Sequence, residues 1–315
     1  MTARRLDGKA VADAIRAEVA REVVALRTAG HAPPCLAAVL VGDHPASDVY
    51  VRAKARACLE AGLVPREHRL SAATTQPQLM ALVADLNRDP EVDGILVQMP
   101  LPQGLDRRSV LEAIDPGKDV DGFSPVNVGR LWSGEEGFVP CTPLGILELL
   151  DRSRIPVEGA EAVVLGRSEI VGKPMAALLL RRHATVTLAH SRTRDLARVT
   201  ARADILVAAI GRPAFVTAEH IKPGATVIDV GINTITSEAQ ARELFAHDPG
   251  RVEVVRRRGS TLVGDVHPAQ VLERAGAYTP VPGGVGPLTV ALLLRNTLAA
   301  AKARRAAVPR AGSGR

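Results

Sequence analysis

Five side chains in the first 121 residues have the types and spacing for proton-handling chemistry on a small molecule. Tyr50 and Lys54 lie four apart, so on a helix they share a face. Gln98 opens the run Gln98-Met99-Pro100-Leu101-Pro102, and Asp119 and Asp121 lie in Lys118-Asp119-Val120-Asp121-Gly122. A lysine that trades protons near neutral pH needs its amine pKa lowered, usually by partial burial. A neutral amide such as Gln98 can orient that amine without locking it into an ion pair, and the proline-rich turn would hold the amide rigid. A carboxylate at Asp121 can accept two hydrogen bonds from an amino-pyrimidinone edge, and Gly122 would let a flat ligand approach. Spacing alone favours a solvated helix pair for Tyr50 and Lys54. Turn chemistry accounts equally well for the two aspartates.

The elements that must position these groups follow from hydrophobic pattern. Val11, Ile15, Val19, Val23 and Leu26 form a helical stripe that Asp7 can cap and Gly30 ends. Residues 35–41 form an apolar run of strand length, residues 46–61 a helix, 64–70 a weaker strand and 94–98 another buried strand. Thr75-Gln76-Pro77-Gln78 fits a capping box. Strands alternating with helices imply a parallel sheet covered on both faces. Residues 105–137, rich in Gly, Pro and Asp, read as functional loops. Thr142-Pro143 then opens a helix to about Arg152. Short apolar strands at 162–165, 185–189, 205–209 and 226–230, with helices starting near Ile170 and Arg194, make a second doubly wound unit. Residues 234–259 are a polar excursion with one short helix at 238–246, and 286–303 form a long final helix.

That second unit carries the dinucleotide signal. Gly166-Arg167-Ser168-Glu169-Ile170-Val171-Gly172 follows a strand and opens a helix, where backbone N–H groups meet a pyrophosphate. The glycines fall at offsets zero and six, so a tight turn also explains Gly166. The next strand ends in His190-Ser191-Arg192-Thr193-Arg194, with no acidic residue for ribose hydroxyls. A hydroxyl and guanidiniums suit a 2′-phosphate, which favours NADP over NAD. Arg192 or Arg194 taken singly is almost as well described as a surface residue at a helix start. Gly231-Ile232-Asn233 closes another strand at the same sheet edge.

The bulk properties narrow the class. The chain has 315 residues, 46% of them hydrophobic and 23% charged, and a net charge of +6. This suits a two-domain globular enzyme. With aromatics at 2%, a stacking platform for nucleic acid is not expected. The charge instead suits an Arg-rich surface or a pocket for phosphates or a polyglutamate tail. Cys35, Cys58 and Cys141 are odd in number and widely spaced, which indicates a reducing compartment without a disulfide framework. No secretion signal, membrane span or metal-ligand spacing is expected.

Taken together, Tyr50-Val51-Arg52-Ala53-Lys54, the Gln98 run, Lys118 to Gly122, Gly166 to Pro174, and Pro280-Val281-Pro282-Gly283-Gly284-Val285-Gly286-Pro287-Leu288-Thr289 resemble one family in order and spacing. It is that of the bifunctional methylenetetrahydrofolate dehydrogenase/methenyltetrahydrofolate cyclohydrolases, and it covers roughly residues 6–301. The resemblance implies an α/β fold of two doubly wound domains: a folate-binding catalytic domain of residues 1–140 plus 281–304, and a Rossmann NADP-binding domain of residues 141–280. Residues 305–315 would be a flexible basic tail. It implies oxidation of methylene-tetrahydrofolate with NADP, then hydrolysis to formyl-tetrahydrofolate, in a cytoplasmic homodimer. Lys54 would transfer protons, Tyr50 pack on the folate, Gln98 position Lys54 and Asp121 hold the pterin edge. Pro282, Gly283 and Gly284 would approach the folate, while Gly166, Arg167, Ser168, Ser191 and Ile232 would contact NADP. The 234–259 excursion departs from the family and reads as a tolerated surface insertion. Two other readings remain: a dehydrogenase with little cyclohydrolase activity, and a basic nucleic-acid-binding protein on the same fold.

Overall fold

Two parallel sheets organise the chain, which the computed structural model describes for residues 3–43 and 45–307. The chain divides into two compact units. One joins the residues up to Ala12 with Thr142–Thr289, and the other joins Asp13–Cys141 with the residues from Val290 onward. The boundaries thus lie at 12, 141 and 289, where sequence placed them at 140 and 281.

The smaller sheet has the order Val64–Leu70, Cys35–Val41, Gly94–Val97, all parallel. Every residue of the central strand is buried, as a β-rich apolar run covered on both faces must be. Val39, Val41, Ile95 and Val97 share a core with Leu79, Val83 and Leu86 of the Gln76–Arg88 helix. That helix opens with the expected box: the Thr75 backbone N–H donates to Gln78 Oε1 at 2.9 Å. The helix carrying Tyr50 and Lys54 is Pro45–Glu60.

Residues 105–137 are not the irregular loops expected. They hold helices Arg107–Ala113 and Pro125–Ser133. Each is too short to show a periodic stripe and forms because its first turn is capped, by Asp106 and Ser124.

The larger sheet has six parallel strands in the order Arg4–Arg5, Ala277–Tyr278, Thr226–Asp229, Ile205–Ala208, Glu161–Leu165, Thr185–Ala189. The first two have two residues each, too short for a sequence signal. The excursion also differs from expectation. Its helix Glu238–Leu244 is followed by a second, Pro249–Arg258, and strands Asn233–Ile235 and Thr261–Val263 pair antiparallel around them. Ile235, Leu244, Phe245, Val252, Val255 and Val263 give this segment a small core of its own. The final helix runs to Ala307, so residues 305–307 are helical and not a free tail. Arg305 pairs there with the buried Asp93 at 3.2 Å. The rest of the expected tail, residues 308–315, lies outside the described residues.

Candidate active site

In the unit with the smaller sheet, Gln98 directly follows the strand Gly94–Val97, and its backbone N–H continues the ladder to the Val39 carbonyl at 2.8 Å. Its side chain has a fixed polarity. Nε2 donates to the Met99 carbonyl at 2.8 Å, which turns Oε1 toward Lys54, whose Nζ donates to it at 3.0 Å. The Met99–Pro100 peptide that follows is cis. Among the described residues Lys54 forms no ion pair, and its Nζ is held by a neutral amide. Tyr50 lies one turn earlier on the helix and is 48% exposed, its ring available to a ligand.

The 118–122 segment runs beside the same strand through an Ile95–Asp119 bridge, with the Ile95 N–H donating to the Lys118 carbonyl at 2.8 Å. The two aspartates separate cleanly. Asp119 is turn chemistry: it accepts from the N–H groups of Phe123 and Ser124 at 3.2 and 2.8 Å and from Asn127 Nδ2 at 2.9 Å. Asp121 has no backbone donor among the described residues; its one partner is the Cys141 thiol, 4.0 Å away. Burial pushes Asp121 up to about 6, with the Lys54 ammonium pulling it down and Asp119 pushing further up. Burial also pushes the Cys141 thiol far above its usual value. Gly122 has a different reason from the one expected. Its φ is 70°, and a Cβ would collide with the backbone of Phe138, Val139 and Pro140, so the glycine admits protein, not ligand.

Sequence reasoning missed Asn296. Its amide donates to the carbonyls of Val120 and Val139 at 2.9 and 3.3 Å and so fixes the backbone on one side of Asp121. The signal was present: a single amide inside the apolar final helix must find partners once buried.

In the other unit, the crevice of an open α/β sheet lies where neighbouring strands are continued in opposite directions. Here that is between Glu161–Leu165 and Ile205–Ala208. Gly166 follows the first, with φ 126°, and a Cβ on it would strike the Ala209 carbonyl after the second. Ser168 Oγ accepts from the N–H groups of Val171 and Gly172 at 3.2 and 3.3 Å, which organises the turn into helix Gly172–Arg181 and leaves its hydroxyl hydrogen free to donate. Arg167, Ser191, Arg192 and Arg194 are exposed at the ends of the first and last strands, and Ile232 is 49% exposed. No carboxylate occurs in residues 190–194, and this donor set fits a 2′-phosphate.

Asp265 was also missed. It accepts from the N–H groups of Ile210, Gly211 and Arg212 at 2.7, 3.0 and 2.8 Å, and so holds the loop on the far side of the crevice. Asp229 supports it from below, accepting from Gly231, Asp265 and Val266 N–H groups at 2.8–2.9 Å. Desolvation pushes Asp229 up to about 7 against those three donors.

Residues 282–284 belong to this unit, not to the one carrying Lys54 as expected. Their glycines are also used by the protein itself. A Cβ on Gly8 would collide with the Gly284 carbonyl, and the Lys9 N–H donates to the Gly283 carbonyl at 3.0 Å. Among the described residues no cluster of His, Cys, Asp and Glu could hold a metal, and no helix is long and apolar enough to cross a membrane.

The comparisons with known proteins agree with this arrangement. The tetrahydrofolate dehydrogenase/cyclohydrolase catalytic-domain model matches residues 6–121, and the NAD(P)-binding-domain model of the same enzymes matches residues 140–305. The bifunctional protein FolD of Koribacter versatilis is 54% identical over 305 residues, covering 97% of this chain and 99% of its own. The bifunctional FolD structure from Campylobacter jejuni superposes with a TM-score of 0.86 at 43% identity, covering 95% of this chain and 98% of its own. The Trypanosoma brucei methylenetetrahydrofolate dehydrogenase-cyclohydrolase, solved with NADP and an inhibitor, has a TM-score of 0.87 at 39% identity and covers 98% and 100%. The chain belongs to the tetrahydrofolate dehydrogenase/cyclohydrolase family.

Proposed function

We propose that the chain oxidises 5,10-methylenetetrahydrofolate to 5,10-methenyltetrahydrofolate with NADP and hydrolyses that product to 10-formyltetrahydrofolate, in tetrahydrofolate one-carbon metabolism. Family membership supports both activities. The single observation that carries the chemistry is the Lys54–Gln98 hydrogen bond, a lysine held by a neutral amide.

When bound, NADP supplies the hydride acceptor. Gly166, Arg167 and Ser168 would hold its pyrophosphate, Ser191 with Arg192 and Arg194 its 2′-phosphate, and Ile232 would give it an apolar contact. For the folate, Tyr50 packs on the ring system, Asp121 accepts from the amino-pyrimidinone edge and residues 282–284 present backbone. Oxidation then needs only that the two ring systems be held in register, so the protein supplies geometry. The methenyl product is a cation, and water attacks its methenyl carbon. As the free amine, Lys54 takes one proton from the attacking water and returns it to the ring nitrogen as its bond to that carbon breaks, while the remaining hydroxyl proton leaves to solvent as the formyl carbonyl forms. Gln98 keeps the amine aimed throughout. The remaining parts of the reading are a cytoplasmic homodimer whose formyl product supplies purine biosynthesis.

The decisive assay supplies methylene-tetrahydrofolate with NADP, and separately with NAD. NADP-dependent appearance of the methenyl chromophore followed by its decay is expected. A folded sample that turns over with neither cofactor would refute the reading.

A further inference from the structure

The 234–259 excursion carries one polar side chain that reaches out of its own small core. Arg251 is partly buried on helix Pro249–Arg258, with its guanidinium 4.6 Å over the Phe245 ring. Nε donates to Thr261 Oγ1 at 3.1 Å, Nη2 to the Leu262 carbonyl, and Nη1 to the Val281 carbonyl at 3.1 Å. Among the described residues no carboxylate forms an ion pair with it: Asp248 attracts it only through space, and its three hydrogen bonds all go to neutral oxygens. Partial burial of a guanidinium on such terms has a desolvation cost that these hydrogen bonds offset.

The third of these bonds ends on the carbonyl that leads, through a cis peptide, into Pro282. The far end of the same run is fastened by the Lys9 N–H on the Gly283 carbonyl and by the close approach of Gly8 to Gly284. Between the excursion and the run lies a cavity of about 290 Å³ bordered by Phe245, Arg251, Tyr278, Val281 and Pro282. Without the guanidinium the run has open space to relax into.

We propose that Arg251 is a positioning residue that sets the backbone of residues 282–284, so that the excursion governs folate affinity. This rests on the folate-facing role given to that run above. The test compares the full chain with Arg251→Ala and Arg251→Lys by hydrogen exchange of the peptide covering residues 279–286, and by KM for methylene-tetrahydrofolate and for NADP. In Arg251→Ala that peptide should exchange at least tenfold faster while the 161–178 region is unchanged. The folate KM should rise at least fivefold, with the NADP KM within twofold of the parent. Arg251→Lys should fall between, because an ammonium reaches one of the three oxygens at a time. Unchanged exchange, or faster exchange with an unchanged folate KM, would overturn the proposal. If Arg251→Ala does not fold, Arg251→Lys decides by the same two readouts. Should the parent turn over no folate, the proposed activity fails, while the exchange comparison still decides whether Arg251 orders the run.

Discussion

Desolvation pushes up both the partly buried Asp121 and the fully buried Asp229, to about 6 and about 7, yet the two carboxylates are used in opposite ways. Asp229 is committed to the protein: three backbone N–H groups point at its two oxygens, and the loops after two strands hang on it and on Asp265. Asp121 receives no backbone donor among the described residues and keeps only a distant thiol. The same split appears within one turn, where Asp119 takes two N–H groups and an amide. With no backbone donor of its own, the partly exposed Asp121 keeps acceptor capacity that Asp229 and Asp119 have spent on the protein. The cluster around Asp229 is scaffold.

The comparison breaks most sharply at Lys54. Lys54→Met should lower methenyl hydrolysis by roughly 10²- to 10⁴-fold, the usual share of a general acid–base residue, with thermal stability close to the parent. Following the methenyl absorbance without NADP isolates that step. Unchanged hydrolysis would remove Lys54 from the mechanism.

Asp229→Ala should do the reverse. Three buried N–H groups lose their acceptor, at a cost of about 3 kcal/mol or more in urea denaturation. If the variant were as stable as the parent, the scaffold assignment would be wrong.

This contrast also marks how far the sequence could be read. Strands such as Cys35–Val41 and Ile205–Ala208 were legible because continuous burial leaves a contiguous apolar run of strand length. The Pro249–Arg258 helix was not, although Pro249 at its start and Gly259 at its end mark it, because its charged composition hides the only two buried positions, Val252 and Val255. Lys54 and Gln98 were legible only through a resemblance, since 44 residues separate two groups that a sheet edge brings to 3.0 Å. Asp119 and Asp121 could not be told apart at all. Which carboxylate is used by its own turn depends on backbone direction, and spacing does not encode that. Asn296 and Asp265 act from elements distant in the chain, so no local pattern reveals their targets.

A smaller effect is expected at the exposed arginines. Replacing Arg192 and Arg194 together by alanine should raise the KM for NADP by roughly ten- to thirtyfold and leave that for NAD within twofold, since only the 2′-phosphate distinguishes them. Equal NAD and NADP affinity in the parent would contradict the cofactor assignment to these residues.

The smallest effect tests the Asp121 half of the comparison by stability alone. A carboxylate raised from 3.8 to about 6 on folding binds its proton more tightly in the native state than in the unfolded chain. Between those values the native state holds more protons, so stability falls as pH rises. The contribution is complete below about pH 4 and is lost as pH passes through 6. Over pH 5 to 7 the loss amounts to about 1 kcal/mol. Asp121→Asn removes the titration, so its stability in urea should fall less than the parent's over that window. Asp229 titrates over a neighbouring range, but it is present in both proteins and cancels in the difference. Saturating folate should then flatten the parent's slope toward the variant's, because a ligand donating to the carboxylate favours its charged form, and an asparagine in its place has no charged form to favour. If the parent and Asp121→Asn show the same slope without folate, Asp121 is not desolvated without donors of its own, and the reason for treating it differently from Asp229 disappears.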